Sequence, residues 1–263
     1  MTDALVTCRR EDAIAILTLN RPEKRNALNR EVLRVLAGLL AEIERDREVR
    51  AVVLHGAGKV FSAGVDFATL REDAGDAPPA PFRVLVGEMQ ALVSRFEAVE
   101  KPIVVAMHGV APGLALELAL ACDVRIVTRD CRIGLPEVKI GLVPDVGGTA
   151  RLVRTVGHAR AKELILTGRL VAADEALRLG LVHEVVPADA HLDAALRVAR
   201  EIAGNAPLAV GLAKRIVDLG AHLDTSTFLQ VEQLAQSVLL ATADAREGTA
   251  ALAERRAPRF TGR

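Results

Sequence analysis

The sequence predicts an α/β protein: a core of repeated strand–strand–helix units over 1–203, followed by a helical region over 204–263. Three features lead there. Short runs rich in Val, Ile and Leu alternate with helical periodicity throughout the first region. Its middle holds an apolar strand, IVVAM (103–107), and then a helix, LALELALA, that is apolar on every face. A helix of that kind belongs in an interior. From Pro207 onward only helical patterns remain, in three segments ending near Arg256.

Taken in order, 4–9 and 13–19 (IAILTLN) read as short strands joined at Arg10-Glu11-Asp12, and Asn20-Arg21-Pro22 ends the second. Asn29 can cap a helix over 30–46, whose Val32, Leu33, Leu36, Leu39, Leu40 and Ile43 share one face. A buried strand at 51–55 gives way to GAGKVFSAGVDF, a loop of small residues leading into a short helix at Asp66. The stretch 72–81, with its three prolines, reads as a mobile surface loop. A helix over 82–99 leads through Lys101-Pro102 to the central strand, which breaks at His108-Gly109 and passes Pro112-Gly113 before the apolar helix. After Asp123 come strand VRIVT, a turn at Arg129-Asp130, strand CRIGL, and PEVKIGLVPDVGGT winding into a helix at 148–156. Helices near 158–166, 173–179 and 188–203, with a strand at 182–186, complete the core.

Composition narrows the function. The 34 basic and 34 acidic residues balance, so no field steers the chain toward nucleic acid or an anionic membrane. Six Phe with no Tyr or Trp leave little to stack on bases. Cys8, Cys122 and Cys131 form no C-x-x-C pair and leave an odd thiol, which points to a reducing compartment without structural zinc. The histidines show no H-E-x-x-H spacing, so no metal site is expected. MTDALVTCRRED lacks the apolar core of a signal peptide, and no apolar run nears the ~20 residues of a spanning helix. A soluble, cytoplasmic protein is expected.

Glu117 is the anomaly. It sits within the apolar helix, where an unpartnered carboxylate costs several kcal/mol or turns neutral. A salt-bridged structural acid is the ordinary reading. Gly113-Leu114, however, falls at the strand-to-helix turn, where backbone N–H groups lack intrahelical acceptors, and Glu117 lies about one turn beyond. An anion site beside a buried acid can polarise a carbonyl and move a proton next to it. Nucleotide signatures in GAGKVFSAG fail: Phe61 stands at the third glycine of a dinucleotide pattern, and Val53 and Val60 break a Walker loop. Ser62-Ala63-Gly64 reads equally as a plain tight turn or as a turn offering N–H groups to a ligand. Glu137 after Pro136 reads as a helix-start acid, and Asp145 as a turn or cap residue.

Six stretches, in order, resemble the enoyl-CoA hydratase/isomerase (crotonase) superfamily. They are N-R-P-E-K-R-N-A-L (20–28), F-S-A-G-V-D (61–66), K-P (101–102), H-G-V-A-P-G-L-A-L-E-L-A-L-A-C-D (108–123), P-E-V-K-I-G-L-V-P-D-V-G-G-T (136–149) and E-R-R-A-P-R-F (254–260). The resemblance implies a spiral core carrying an acyl-CoA site over 1–203 and helices over 204–263 that build trimers, often paired into hexamers. It implies an acyl-CoA thioester as substrate, with coenzyme A part of that substrate and no separate cofactor. Ala63 and Leu114 would supply the oxyanion-hole N–H groups, and Glu117 and Glu137 would activate water and relay a proton. Arg25, Ala27 and Leu28 fall in the segment that grips coenzyme A. Ala63, Gly64, Val65, Asp66 and Gly113 would border the thioester, and Arg255 would meet the coenzyme A phosphates.

Two positions depart from the family pattern. Leu114 stands in a run where glycines are usual, and Asp145 stands where typical hydratases have glycine. An acid eight residues after the glutamate resembles the dienoyl-CoA isomerases and the 3-hydroxyisobutyryl-CoA hydrolases. The hydrolases are longer and usually lack a carboxylate at the position of Glu117, which leaves double-bond isomerisation through Glu137 and Asp145 as the alternative to hydration. Family members that act as RNA-binding or scaffold proteins supply a third class, against which the neutral charge and missing aromatics argue.

Overall fold

The computed structural model describes residues 4–68, 79–220 and 223–263. Strands β1 (Val6–Glu11) and β2 (Ile14–Leu19) form a hairpin. Strands β3 (Ala51–Gly56), β4 (Ile103–Met107), β6 (Val124–Thr128) and β9 (Glu184–Val186) extend it in parallel, giving the order β1-β2-β3-β4-β6-β9. A second sheet joins β5 (Val110–Pro112), β7 (Arg132–Gly134) and β8 (Val171–Ala172). The pairs β4–β5 and β6–β7 each give one strand to each sheet, and a helical segment follows each pair. That repetition is the expected α/β spiral.

Period-2 alternation sends the strands' side chains to two cores. One face, with Leu17, Val52, Leu54, Val105 and Met107, packs with helices α1 (Arg30–Arg45), α2 (Pro79–Ala98) and α3 (Leu114–Leu120). Asn29 caps α1 as expected, its side chain accepting the Val32 N–H at 2.9 Å. Beyond α3 come α4 (Gly148–Val156), α5 (His158–Thr167), α6 (Ala173–Arg178) and α7 (His191–Ala203). The other strand face, with Ile14, Ile16, Ala51, Val53, Val104 and Ala106, packs on the alanine-rich side of α7.

Several boundaries differ from expectation. β1 runs on through Glu11, so the hairpin turns at Asp12, whose φ is 51°. β5 and β8 have three and two residues, too few to show a period of their own, and exist by pairing with β7. α2 begins at Pro79, inside the expected loop, because proline is tolerated in a first turn whose N–H groups have no acceptor. The rest of that loop, 72–78, lies outside the described residues, as does most of the helix expected at Asp66, which starts at Phe67.

The tail consists of α8 (Pro207–Gly220), α9 (Thr225–Leu240) and α10 (Ala243–Glu254). Lys214 of α8 donates to the Phe96 carbonyl and to Asp123, both at 2.9 Å, and so fastens α8 to the core. The Arg50 guanidinium holds the Phe260 carbonyl at 2.6 Å. α9 buries none of its residues and leaves Leu234, Val238 and Leu240 more than half exposed. No helix among the described residues is long and apolar enough to cross a membrane.

Candidate active site

Every residue of α3 is buried, Glu117 included. Its N-cap, Gly113, has φ 55° and ψ −127°, a conformation that essentially only glycine adopts. Among the described residues Glu117 has no cation for a partner. Instead its Oε1 accepts the N–H groups of Val146 at 2.9 Å and Gly148 at 2.8 Å. A Cβ on Gly148 would lie 2.6 Å from that oxygen, so the loop approaches this closely only with glycine there. Burial pushes the Glu117 carboxyl up to about 7, Glu137 and Asp145 push the same way, and the two N–H groups oppose.

Glu137 opens a single 3-10 turn, Glu137–Ile140. Its Oε1 lies 2.9 Å from where a Cβ on Gly113 would stand, so it reaches over the start of α3. Its Oε2 is buried and has no hydrogen-bond partner among the described residues. Burial, with the Asp145 charge adding, raises this carboxyl above its ordinary range, and burial raises Asp145 as well. All three acids line one pocket together with Leu28, Val65, Asp66 and Leu114. The rest of its wall is mainly apolar, with Phe82, Leu85, Val86 and Met89 of α2, and also includes Asn29 and Arg30.

The expected Ala63 donor requires correction. The Ala63 N–H donates to the Arg25 carbonyl at 2.9 Å and is already satisfied. Parallel pairing with Leu28 shows which N–H faces the pocket instead. Leu28 N–H donates to Gly64 O at 2.7 Å, and Asp66 N–H donates to Leu28 O at 2.8 Å. The residue between them, Val65, therefore turns its own N–H to the opposite side. Among the described residues that N–H has no partner, and Val65 lines the pocket, which Ala63 does not. Leu114 N–H, first in its helix, is the second donor without an intrahelical acceptor. The two turns touch: Gly64, at φ 87°, would place a Cβ 3.8 Å from Leu114 N.

The 20–28 segment is sewn onto the 57–66 loop. Asn26 donates to the Ala57 and Val60 carbonyls at 2.8 and 2.9 Å. Arg21 reaches the Ala27 carbonyl at 2.7 Å and Asp66 at 3.2 Å, so Asp66 is engaged as a structural partner. Arg25 is exposed at φ 50°. Arg255 caps α10 at φ 56°, is exposed, and lines no wall of this pocket. Among the described residues no cluster of three or more His, Cys, Asp or Glu could hold a metal ion.

The model of the enoyl-CoA hydratase/isomerase family matches residues 9–263. A Mycobacterium tuberculosis protein named a probable enoyl-CoA hydratase is 38% identical over the whole of both chains. The 2,3-dehydroadipyl-CoA hydratase of Escherichia coli is 35% identical, again over both full lengths. The crystal structure of an enoyl-CoA hydratase from Bacillus anthracis superposes with a TM-score of 0.93 at 36% identity, covering 99% of this chain and 100% of that one.

Proposed function

The chain belongs to the enoyl-CoA hydratase/isomerase family, and on that premise we propose that it adds water across the 2,3 double bond of a 2-enoyl-CoA thioester. The thioester oxygen sits between the Val65 and Leu114 N–H groups. Charge moves onto that oxygen as water attacks C3, and fixed donors aimed there are worth about 3–4 kcal/mol each. Glu117, with its pKa near 7, takes the proton from the attacking water. Glu137 delivers its proton to C2, which collapses the enolate to the saturated thioester. A protonated Glu137 suits its unpartnered Oε2, because an O–H can point into the pocket. Glu137 raises the Glu117 carboxyl and Asp145 raises both, and carboxyls in such different surroundings divide into an acid and a base.

One observation carries this reading: a Glu117 anchored by two backbone N–H groups shares a pocket with the Glu137 Oε2 and with the Val65 and Leu114 N–H donors, none of which has a partner among the described residues. Asp145 on the same pocket favours a second reading, in which Glu137 and Asp145 move a double bond. Incubation with crotonyl-CoA and with a 2,5-dienoyl-CoA, followed by mass analysis, separates them. Hydration adds the mass of one water; isomerisation leaves mass unchanged. The nucleic-acid reading has no support in the balanced charge, and a salt-dependent shift assay with RNA tests it.

Arg25 and Arg255, both exposed, are the proposed contacts for the coenzyme A phosphates. Self-association into a trimer or hexamer through 204–263 is part of the same proposal, since α9 leaves its leucines uncovered. Sedimentation that shows a stable monomer at micromolar concentration rules this out.

A further inference from the structure

The loop that holds Glu117 is itself held, carbonyl by carbonyl, by side chains that do not line the pocket. Thr149 Oγ1 donates to Pro144 O at 3.0 Å, Gln90 Nε2 to Asp145 O at 2.6 Å, and Arg151 Nη1 to Val146 O at 3.0 Å. Three consecutive carbonyls are thus fixed by three side chains. The N–H groups of Val146 and Gly148, on the other edge of the same loop, point at Glu117 Oε1.

Arg151 is the centre of this clamp. It is 7% exposed, and its Nη2 donates to Glu97 Oε2 at 2.6 Å and to Ser94 Oγ at 3.1 Å, both on α2. Its guanidinium fills the space a side chain at residue 147 would need. Gly147 has φ 95°, and a Cβ there would fall 2.1 Å from Arg151 Nη1. We propose that Arg151, anchored by Glu97, is a positioning residue that holds the 144–148 loop in the shape which presents two N–H groups to the Glu117 carboxylate. Its catalytic consequence rests on the reading that Glu117 moves a proton.

The charged surroundings make the effect specific. Glu117 faces Glu137 and Asp145, which push its proton affinity up, while the two N–H groups pull it down. Arg151 faces Glu97, and shares a cleft with Arg154, Asp123, Lys214 and Asp218. The nearby Cys122 thiol is pushed up to about 12 by burial and stays neutral. Arg151 therefore acts on Glu117 through the loop backbone. A loosened loop leaves burial and the two acids unopposed, and Glu117 then holds its proton to higher pH.

The test compares the wild type with Arg151→Met, Glu97→Gln and Glu117→Gln across the neutral pH range. Arg151→Met should lower kcat for crotonyl-CoA about tenfold or more with KM within about twofold. The pH limb of kcat that belongs to Glu117 should move up by about one pH unit. Glu97→Gln keeps the arginine and removes its anchor, so it should shift the limb the same way by less. The Glu117 titration is also read without turnover, from the infrared carboxyl band that Glu117→Gln removes. A band midpoint that stays put in Arg151→Met, with activity lost equally at every pH, makes Arg151 a purely structural residue and overturns the proposal. If Arg151→Met does not fold, an unmoved midpoint in Glu97→Gln does the same. Full turnover in Glu117→Gln would sink the hydration reading alone, because the band still reports whether Arg151 positions that carboxylate.

Discussion

The sheet carries buried titratable groups on both of its faces, and the two sets differ in what surrounds them. On the α3 side, Glu117 is tied to two backbone N–H groups and opens with Glu137 and Asp145 onto a pocket. On the α7 side, Thr18, His55, His108 and Thr128 continue the apolar columns of β2, β3, β4 and β6, and His191 from the start of α7 lies against His55 and His108. His108 stacks on His191 with ring centroids 4.4 Å apart, and His55 lies 6.4 Å from His191. His55 bonds Thr18 at 2.9 Å, and His108 meets the Gly58 carbonyl at 3.0 Å. Burial lowers all three imidazoles, His55 to about 4. Perturbed protonation is therefore common to both faces. Among the described residues, the carboxyls have fixed N–H donors beside a pocket, and that separates a site from a neutral polar layer.

The largest expected effect tests this directly. Glu117→Gln and Glu137→Gln keep volume and hydrogen bonding but end the proton relay, so each should cost hydration at least about a hundredfold. The double variant should lose less than the product, because the pair works as a unit. His108→Asn, in the other set, should leave kcat/KM within about twofold. Comparable losses on both faces would erase the distinction.

Stability against pH sharpens it further, because the two sets act with opposite sign. Glu117 has a folded pKa of about 7 against an ordinary 4.5. Between those values the folded chain keeps a proton the unfolded chain has released, so stability falls as pH rises, by on the order of 3 kcal/mol. His55 titrates at about 4 in the folded chain against 6.5. There the unfolded chain holds the extra proton, and stability rises with pH through the same window, by up to about 3 kcal/mol less a discount for partial exposure. The wild type should show little net slope from this pair. Glu117→Gln should uncover the rising histidine slope, and His55→Gln the falling carboxylate one. Urea unfolding at fixed protein concentration over a pH series reads both slopes.

What the sequence reveals follows the range of the interactions involved. The buried helix with Glu117 is legible because LALELALA is local, and the Asn29 cap for the same reason. Ala63 is misread because the choice between two N–H groups in one turn depends on the Arg25 carbonyl, far away in the chain. The pairing of Leu28 with Val65 settles it, and no pattern within 61–66 announces that pairing. The histidine layer escapes for a related cause: residues 55, 108 and 191 meet only once the strands are in register. Arg151 carries an ordinary helix pattern, and its role depends on a carbonyl and a glycine next to it in space.

The smallest expected effect concerns Asp145. It lines the pocket, yet its carboxyl makes none of the contacts that fix Glu117; those come from the backbone of its neighbours. Its charge does raise the Glu117 and Glu137 carboxyls. Asp145→Gly should therefore lower the pH at which Glu117 ionises and change hydration of crotonyl-CoA by less than about tenfold. Glycine also frees the loop backbone, so Asp145→Asn is the cleaner removal of charge, and the two variants should move the pH limb in the same direction. A 2,5-dienoyl-CoA separates the readings again, since moving its double bonds takes a proton from one carbon and returns one to another, a task for Glu137 and Asp145 as a pair. If Asp145→Asn abolishes hydration while acyl-CoA still binds, Asp145 belongs to the reacting set, and the three-acid isomerase becomes the better description of this pocket.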